Sequence, residues 1–146
     1  MSRSIRGTER ALAARLPPAA TLARWALAAL LLLAGVHKLV DPGAWTDYVV
    51  DWLEPFVVSP LWFILANAAF ELAIGAALLA DRYTPEAALV TAVSLFGTSG
   101  YLAVVWVTAG RFGPSMVRDF GLGGLALAVF AAAVADGSHD ERAEGK

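Results

Sequence analysis

Four apolar stretches constrain this chain more than anything else in it: residues 21–40, 60–80, 85–108 and about 118–135. Each is close to the ~20 residues that a helix needs to cross ~30 Å of hydrocarbon at 1.5 Å per residue. Alanine, leucine and glycine dominate them and β-branched runs are few, so helices fit and barrel strands do not. The 146 residues are 58% hydrophobic and only 16% charged, well below the roughly 25% charged of soluble domains. A chain this short cannot hide so much apolar surface in a water-soluble core. The expected fold is all-α: an up-down four-transmembrane-helix bundle solvated by a lipid bilayer.

The connections refine that picture. The first stretch is too long for a signal peptide, and no small-residue cleavage site follows Val40. Residues 1–20 read as a cytoplasmic lead-in, where Thr8 can cap a short helix through Leu16 that Pro17-Pro18 must end. In the turn after the second stretch, Thr84 is the expected N-cap and Pro85 the first helical residue. That tight turn makes the second and third helices antiparallel neighbours. The polar tail, 136–146, reads as mobile. In 43–54, Trp45, Tyr48, Val49, Trp52 and Leu53 recur at helical spacing, with Asp47, Asp51 and Glu54 mainly opposite. The segment is expected to form a short outer interfacial helix in the headgroup plane, or else a re-entrant loop packed on the bundle; either would roof the outer face.

Basic residues near the helix ends set the expected orientation. Arg3, Arg6, Arg10, Arg15, Arg24, Arg82, Arg142 and Lys146 lie on one side, and only Lys38, Arg111 and Arg118 on the other. Both termini are therefore expected in the cytoplasm of a multi-pass cell-membrane protein. The net charge of −2 comes with no basic stripe that would track nucleic acid. The absence of cysteine excludes disulfides, thiolate metal sites and any dithiol relay within the chain, and no metal-ligand spacing stands out.

Candidate functional residues are those that do not belong in hydrocarbon. Glu71 lies near the middle of the second helix, where an unpaired carboxylate costs at least ~2.5–3.5 kcal/mol. It should face the bundle and be either protonated or paired. Asn67 and Gly75 lie one turn to either side of it, and Thr91, Ser94, Thr98 and Tyr101 place four hydroxyls along one face of the third helix. Counted at 1.5 Å per residue, Glu71 falls at ~14 Å, between Ser94 at ~12 Å and Thr98 at ~18 Å. Asn67, Tyr101, His37 and Asp119 fall at ~20–24 Å, with Lys38 and Arg118 beside them. Turned inward, these faces make a polar pocket floored by Glu71. The plainer reading pairs Glu71 with Lys38, His37 or Arg118 for packing alone. His37 and Lys38 also read as ordinary helix-end residues, Tyr101 as part of an aromatic belt, and Asp119 as an acid complementing the fourth helix's dipole. The glycines of the Gly121-Leu122-Gly123-Gly124 run would let another helix approach closely.

Three segments carry a family resemblance. Arg24 enters a helix that runs to Ala34-Gly35-Val36-His37-Lys38-Leu39-Val40-Asp41-Pro42. Then come Glu71-Leu72-Ala73-Ile74-Gly75-Ala76-Ala77-Leu78-Leu79 and Arg118-Asp119-Phe120-Gly121-Leu122-Gly123-Gly124. Over about 21–135 this pattern resembles the DoxX-like family of small four-helix membrane proteins. The resemblance implies an up-down bundle and a link to respiratory or thiosulfate:quinone electron transfer, in which members serve as membrane subunits; others accompany detoxifying redox partners. The chain departs from redox-active relatives of this bundle type in having no cysteine, so electrons would reside on a bound quinone or on a partner. Three functions follow as expectations. The first is a quinone-interacting oxidoreductase subunit, with Glu71 exchanging a proton and His37, Tyr101 or Arg118 bonding a quinone oxygen. Lys38, Asn67, Thr98 and Asp119 complete its candidate ligand-binding set, with no covalent cofactor and no redox centre of its own. The second is a non-catalytic anchor or assembly module for partner subunits or a homo-oligomer. The third is a small-molecule carrier, for which four helices without an evident repeat are a poor basis.

Overall fold

The computed structural model describes residues 13–144, so Thr8 and the start of the helix expected through Leu16, with Arg3, Arg6 and Arg10, lie outside the described residues, and the described end of that segment turns at 14–16 ahead of Pro17. The described chain is helical: α1 (Ala19–Val40), a four-residue α2 (Gly43–Thr46), α3 (Pro60–Leu79), α4 (Thr84–Ala109) and α5 (Gly113–Glu144), with a 3₁₀ turn at Glu54–Phe56. The four long helices form a bundle, and each contains a span long and apolar enough to cross a membrane. No more than a third of any span is buried within the protein. Leu33, Val40, Trp62, Val93, Val107, Val117 and Phe120 are turned outward on all sides, an apolar girth that hydrocarbon, not water, solvates. The protein is a multi-pass membrane protein.

Local chemistry sets the helix ends. α1 follows Pro17-Pro18 and stops before Pro42, whose ring disfavours helical backbone in the preceding residue. At α3 the Ser59 hydroxyl accepts the Trp62 N–H at 3.3 Å, with Pro60 in the first turn. α4 ends on Gly110 in the left-handed region, φ 67°. Its start differs from expectation: Tyr83, not Thr84, precedes the helix, and the Thr84 hydroxyl donates to Asp81 at 2.7 Å instead of capping. Asp81 and Tyr83 both have φ 54°, a conformation costing about 1–2 kcal/mol for a residue with a Cβ. The turn is held by Arg24, which donates to the Leu78 carbonyl at 2.5 Å and pairs with Asp81 at 3.1 Å. A cation at the C-terminus of α3 also complements that helix's dipole.

α1 packs along α3 and α4 along α5; α1 also touches α5, whereas α3 and α4 meet only sparsely. The tight turn thus joins two helices that are not principal packing partners. α1 and α3 approach closely through reciprocal hollows. A Cβ on Gly35 would meet Leu72 Cγ at 2.8 Å, and one on Gly75 would meet Leu32 Cγ at 2.9 Å. In α5 Gly123 serves such a contact against the Phe96 ring and Gly113 against the Trp106 ring; Gly121 and Gly124 face open space. The dry core, which includes Leu27, Ala28, Leu31, Leu78, Ala88, Ala92, Ala126 and Val129, fills the half of the bundle that holds the α3–α4 turn.

The segment after α1 is not one amphipathic helix. α2 gives way to turns, then to the 3₁₀ turn, and the whole straps across the end of the bundle. Tyr48 stacks on Phe112 at 4.3 Å and its hydroxyl shares a 2.9 Å hydrogen bond with Ser115. The Tyr101 hydroxyl donates to the Tyr48 carbonyl at 2.5 Å, and Arg111 reaches the Asp47 carbonyl at 3.4 Å.

Candidate functional site

Close packing of α1 on α3 decides what surrounds Glu71. Gly35 seats Leu72, and Lys38, one turn further along α1, is carried against the stripe of Asn67 and Glu71. Its Nζ donates to Glu71 Oε1 and to Asn67 Oδ1, each at 2.5 Å. Lys38 is 5% exposed, a burial that an ammonium tolerates only when paired and hydrogen-bonded. The ring of Trp45 completes its surroundings, with Nζ 4.5 Å from the ring centroid. Glu71 Oε2 is different. It is buried and has no protein hydrogen-bond partner, alone in this among the described residues.

The group lines a cavity of ≈ 220 Å³ to which all four long helices contribute. Around it stand Lys38 of α1, Asn67, Phe70 and Glu71 of α3, Ser94 and Thr98 of α4, and Arg118 and Asp119 of α5, with Trp45 from the strap. Asp119 is 6% exposed and accepts from Arg118 Nε at 2.8 Å. Two bases and two acids therefore meet on one cavity, with no formal excess of charge when all are ionised. Arg118 and Asp119 do not open the fourth helix. α5 starts at Gly113 and has no acid in its first turn, so Asp119 acts on the cavity and not as a dipole complement.

Lys38, Asn67, Glu71, Thr98, Arg118 and Asp119 are thus brought together. Tyr101 and His37 are not. Tyr101 lines an adjoining, outer cavity of ≈ 350 Å³ that shares Lys38, Trp45, Asn67 and Thr98 with the first, and its hydroxyl is committed to the strap. His37 is exposed, lines neither cavity, and accepts from Trp45 Nε1 at 2.7 Å through Nδ1. Its effect on the site is indirect, through the indole it orients. Thr91 is buried and bonds back to the Ala87 carbonyl at 2.7 Å, so only part of the α4 hydroxyl stripe reaches the cavity.

Sequence reasoning did not find the role of Trp45, which it placed either in the headgroup plane or on a loop packed against the bundle. The eight-residue separation from His37 offers no periodic signal for their contact. A third cavity, ≈ 330 Å³, lies at the opposite end beside Arg24, Asp81, Thr84 and Asp136; there the guanidinium is already occupied with Leu78 and Asp81. No group of three or more potential metal ligands occurs among the described residues.

A four-span helical bundle with a paired acid inside one of its spans defines the class: a small multi-pass membrane protein with an internal cavity lined by charged and apolar residues. Residues 19–109 match the DoxX family, and the chain belongs to it. The match takes in α1 to α4 and ends before α5, so the Arg118-Asp119 side of the cavity lies beyond it. No curated protein and no solved structure matches the chain.

Proposed function

We propose that this DoxX family protein is a membrane subunit of an oxidoreductase system and binds a quinol-type ligand at Glu71, its termini lying in the cytoplasm. The observation that carries the reading is the buried Oε2 of Glu71, without a protein partner on the wall of a cavity. Buried polar atoms are almost always hydrogen-bonded, and an exception asks for a reason. With Lys38 on Oε1, the carboxylate is an acceptor, so the ligand group that meets Oε2 must donate. A quinol hydroxyl donates; a quinone carbonyl does not. Lys38 Nζ has three donors, two of them committed to Glu71 and Asn67. Ser94 and Thr98 on the facing helix supply hydroxyls that both donate and accept.

In this reading Glu71 holds, and can take up, the proton of the ligand hydroxyl, as a general base within hydrogen-bond reach does. A bound quinol oxidised to the quinone would give one proton to Glu71 and its other proton and two electrons to a redox-active partner subunit, since the chain has no cysteine with which to carry the electrons. In this reading His37 and Tyr101 are not direct ligands, because His37 lines neither cavity and the Tyr101 hydroxyl is engaged with the strap. The test is binding of a quinol analogue to purified protein. Glu71→Gln should weaken it by roughly 10- to 100-fold, the worth of a hydrogen bond to a charged group. No detectable binding at saturating analogue would sink the reading.

A second reading, the anchor or assembly module, is favoured by one observation. Gly121 and Gly124 leave open space on α5, where a partner's helix can come close. Pull-down in mild detergent tests it; a protein that migrates alone at every detergent level argues against it.

A further inference from the structure

The outer cavity is as apolar in its walls as the one at Glu71 but lacks the charged groups Glu71, Arg118 and Asp119. Beyond the residues the two share, its walls are Val49 and Leu53 of the strap, Phe63 and Ile64 of α3, and Gly97 and Leu102 of α4, with the two tyrosines. Both tyrosine hydroxyls are spoken for, Tyr101 by the Tyr48 carbonyl and Tyr48 by Ser115. Apart from Lys38, Asn67 and Thr98 on the border with the Glu71 cavity, no side chain there has a polar atom left to hold a polar molecule. The cavity lies where α3 and α4 are furthest from their connecting turn: on α3 it is lined from the first turns, on α4 from the second half. These two helices pack sparsely, so the wall facing the bilayer is a seam and not an interface. At its middle, a Cβ added to Gly97 would meet nothing within 4 Å.

The geometry points to a ligand with a hydrocarbon chain, whose chain lies in this outer cavity and which reaches Glu71 sideways from the bilayer, between α3 and α4. The inference rests on the reading of Glu71 as the site of the polar head. Continuity carries it: Lys38, Trp45, Asn67 and Thr98 border both spaces, so one amphiphile fits with its head beside Glu71, Arg118 and Asp119 and its chain in the space that lacks them. Volumes of ≈ 220 and ≈ 350 Å³ together fall within the roughly 300–1,000 Å³ of ordinary ligand pockets. Chain burial in place of lipid brings little affinity, because hydrocarbon is exchanged for hydrocarbon. Its position, not its contribution to Kd, is therefore the proper readout.

The experiment is photo-crosslinking of the full chain in nanodiscs, with a quinol analogue bearing a diazirine near the start of its alkyl chain. Adducts are expected on the seam, at Phe63, Ile64 and the Gly97–Leu102 turn, and an excess of a chainless quinol analogue should remove them by competing for the head site. Gly97→Leu should abolish the seam adducts while the chainless analogue still binds. Gly100→Leu, on a glycine that also faces open space but borders only the cavity beside Phe120, should leave both unchanged. Adducts scattered around the lipid-facing helices of the unaltered protein, with Glu71-dependent binding of the chainless analogue intact, would overturn the chain site and spare the head site. Seam adducts from a diazirine-bearing phosphatidylcholine that no quinol analogue displaces would assign the space to ordinary lipid and overturn the inference. Failure of every quinol analogue to bind would remove the head site and this inference with it.

Discussion

Lys38 is the residue that makes the interior of this protein tolerable to Glu71. It satisfies one carboxylate oxygen and the amide oxygen of Asn67 at once, and is itself almost wholly shielded. Removing one member of such a pair leaves a bare charge in an apolar setting, which costs about 3–5 kcal/mol, whereas replacing both with apolar side chains is often neutral. Lys38→Met should therefore lower the melting temperature in detergent sharply, and Lys38→Met combined with Glu71→Leu should recover most of the loss. If the double substitution melts no higher than the single one, the pair is not what the acid needs. That Glu71 required company was legible in the sequence, because the cost of an unpaired carboxylate at that depth is fixed by solvation. Which of three nearby bases would provide it was not. His37 and Lys38 are consecutive and point about 100° apart on a helix of 3.6 residues per turn, and only the rotation of α1 against α3, set by Gly35 and Gly75, chooses between them.

At the scale of elements, α1 and α3 form the tightest seam. Gly75→Leu should force them apart and destabilise by about 1–3 kcal/mol, as overpacking does. Gly121→Ala, on a face with room, should be neutral or stabilising by up to about 1 kcal/mol through helix propensity. Thermal melts of both variants check this, and equal effects would contradict the packing described. The four spans were readable because hydrocarbon thickness dictates their length. The start of α5 was less so: Gly113-Pro114 looks like a loop, yet a proline sits without cost in a helix's first turn, and α5 runs from there to Glu144. The strap does hold the short helix expected there, but only over Gly43–Thr46. Its helical spacing of aromatics is real, but the Tyr48 carbonyl is taken by Tyr101, and the ring is drawn onto Phe112. Contacts distant in sequence outbid the local helical bonds, and no periodicity reports them.

For the whole molecule, the proposed orientation has the α3–α4 turn and both termini on the cytoplasmic side, as the distribution of basic residues leads one to expect. The lack of native cysteine makes this simple to check. A single cysteine at Tyr83 should react with an impermeant maleimide only after the cells are opened, and one at the fully exposed Val58 should react in intact cells. The reverse pattern would invert the topology. The pairing of successive spans, α1 with α3 and α4 with α5, also bears on biogenesis. Each hairpin completes its main interface before the other is needed, so the first can close while the ribosome is still making the second. Two polypeptides divided between Arg82 and Tyr83 should therefore find each other in the membrane and co-purify, whereas a division ahead of Ser59 should leave an orphan first span that the cell degrades.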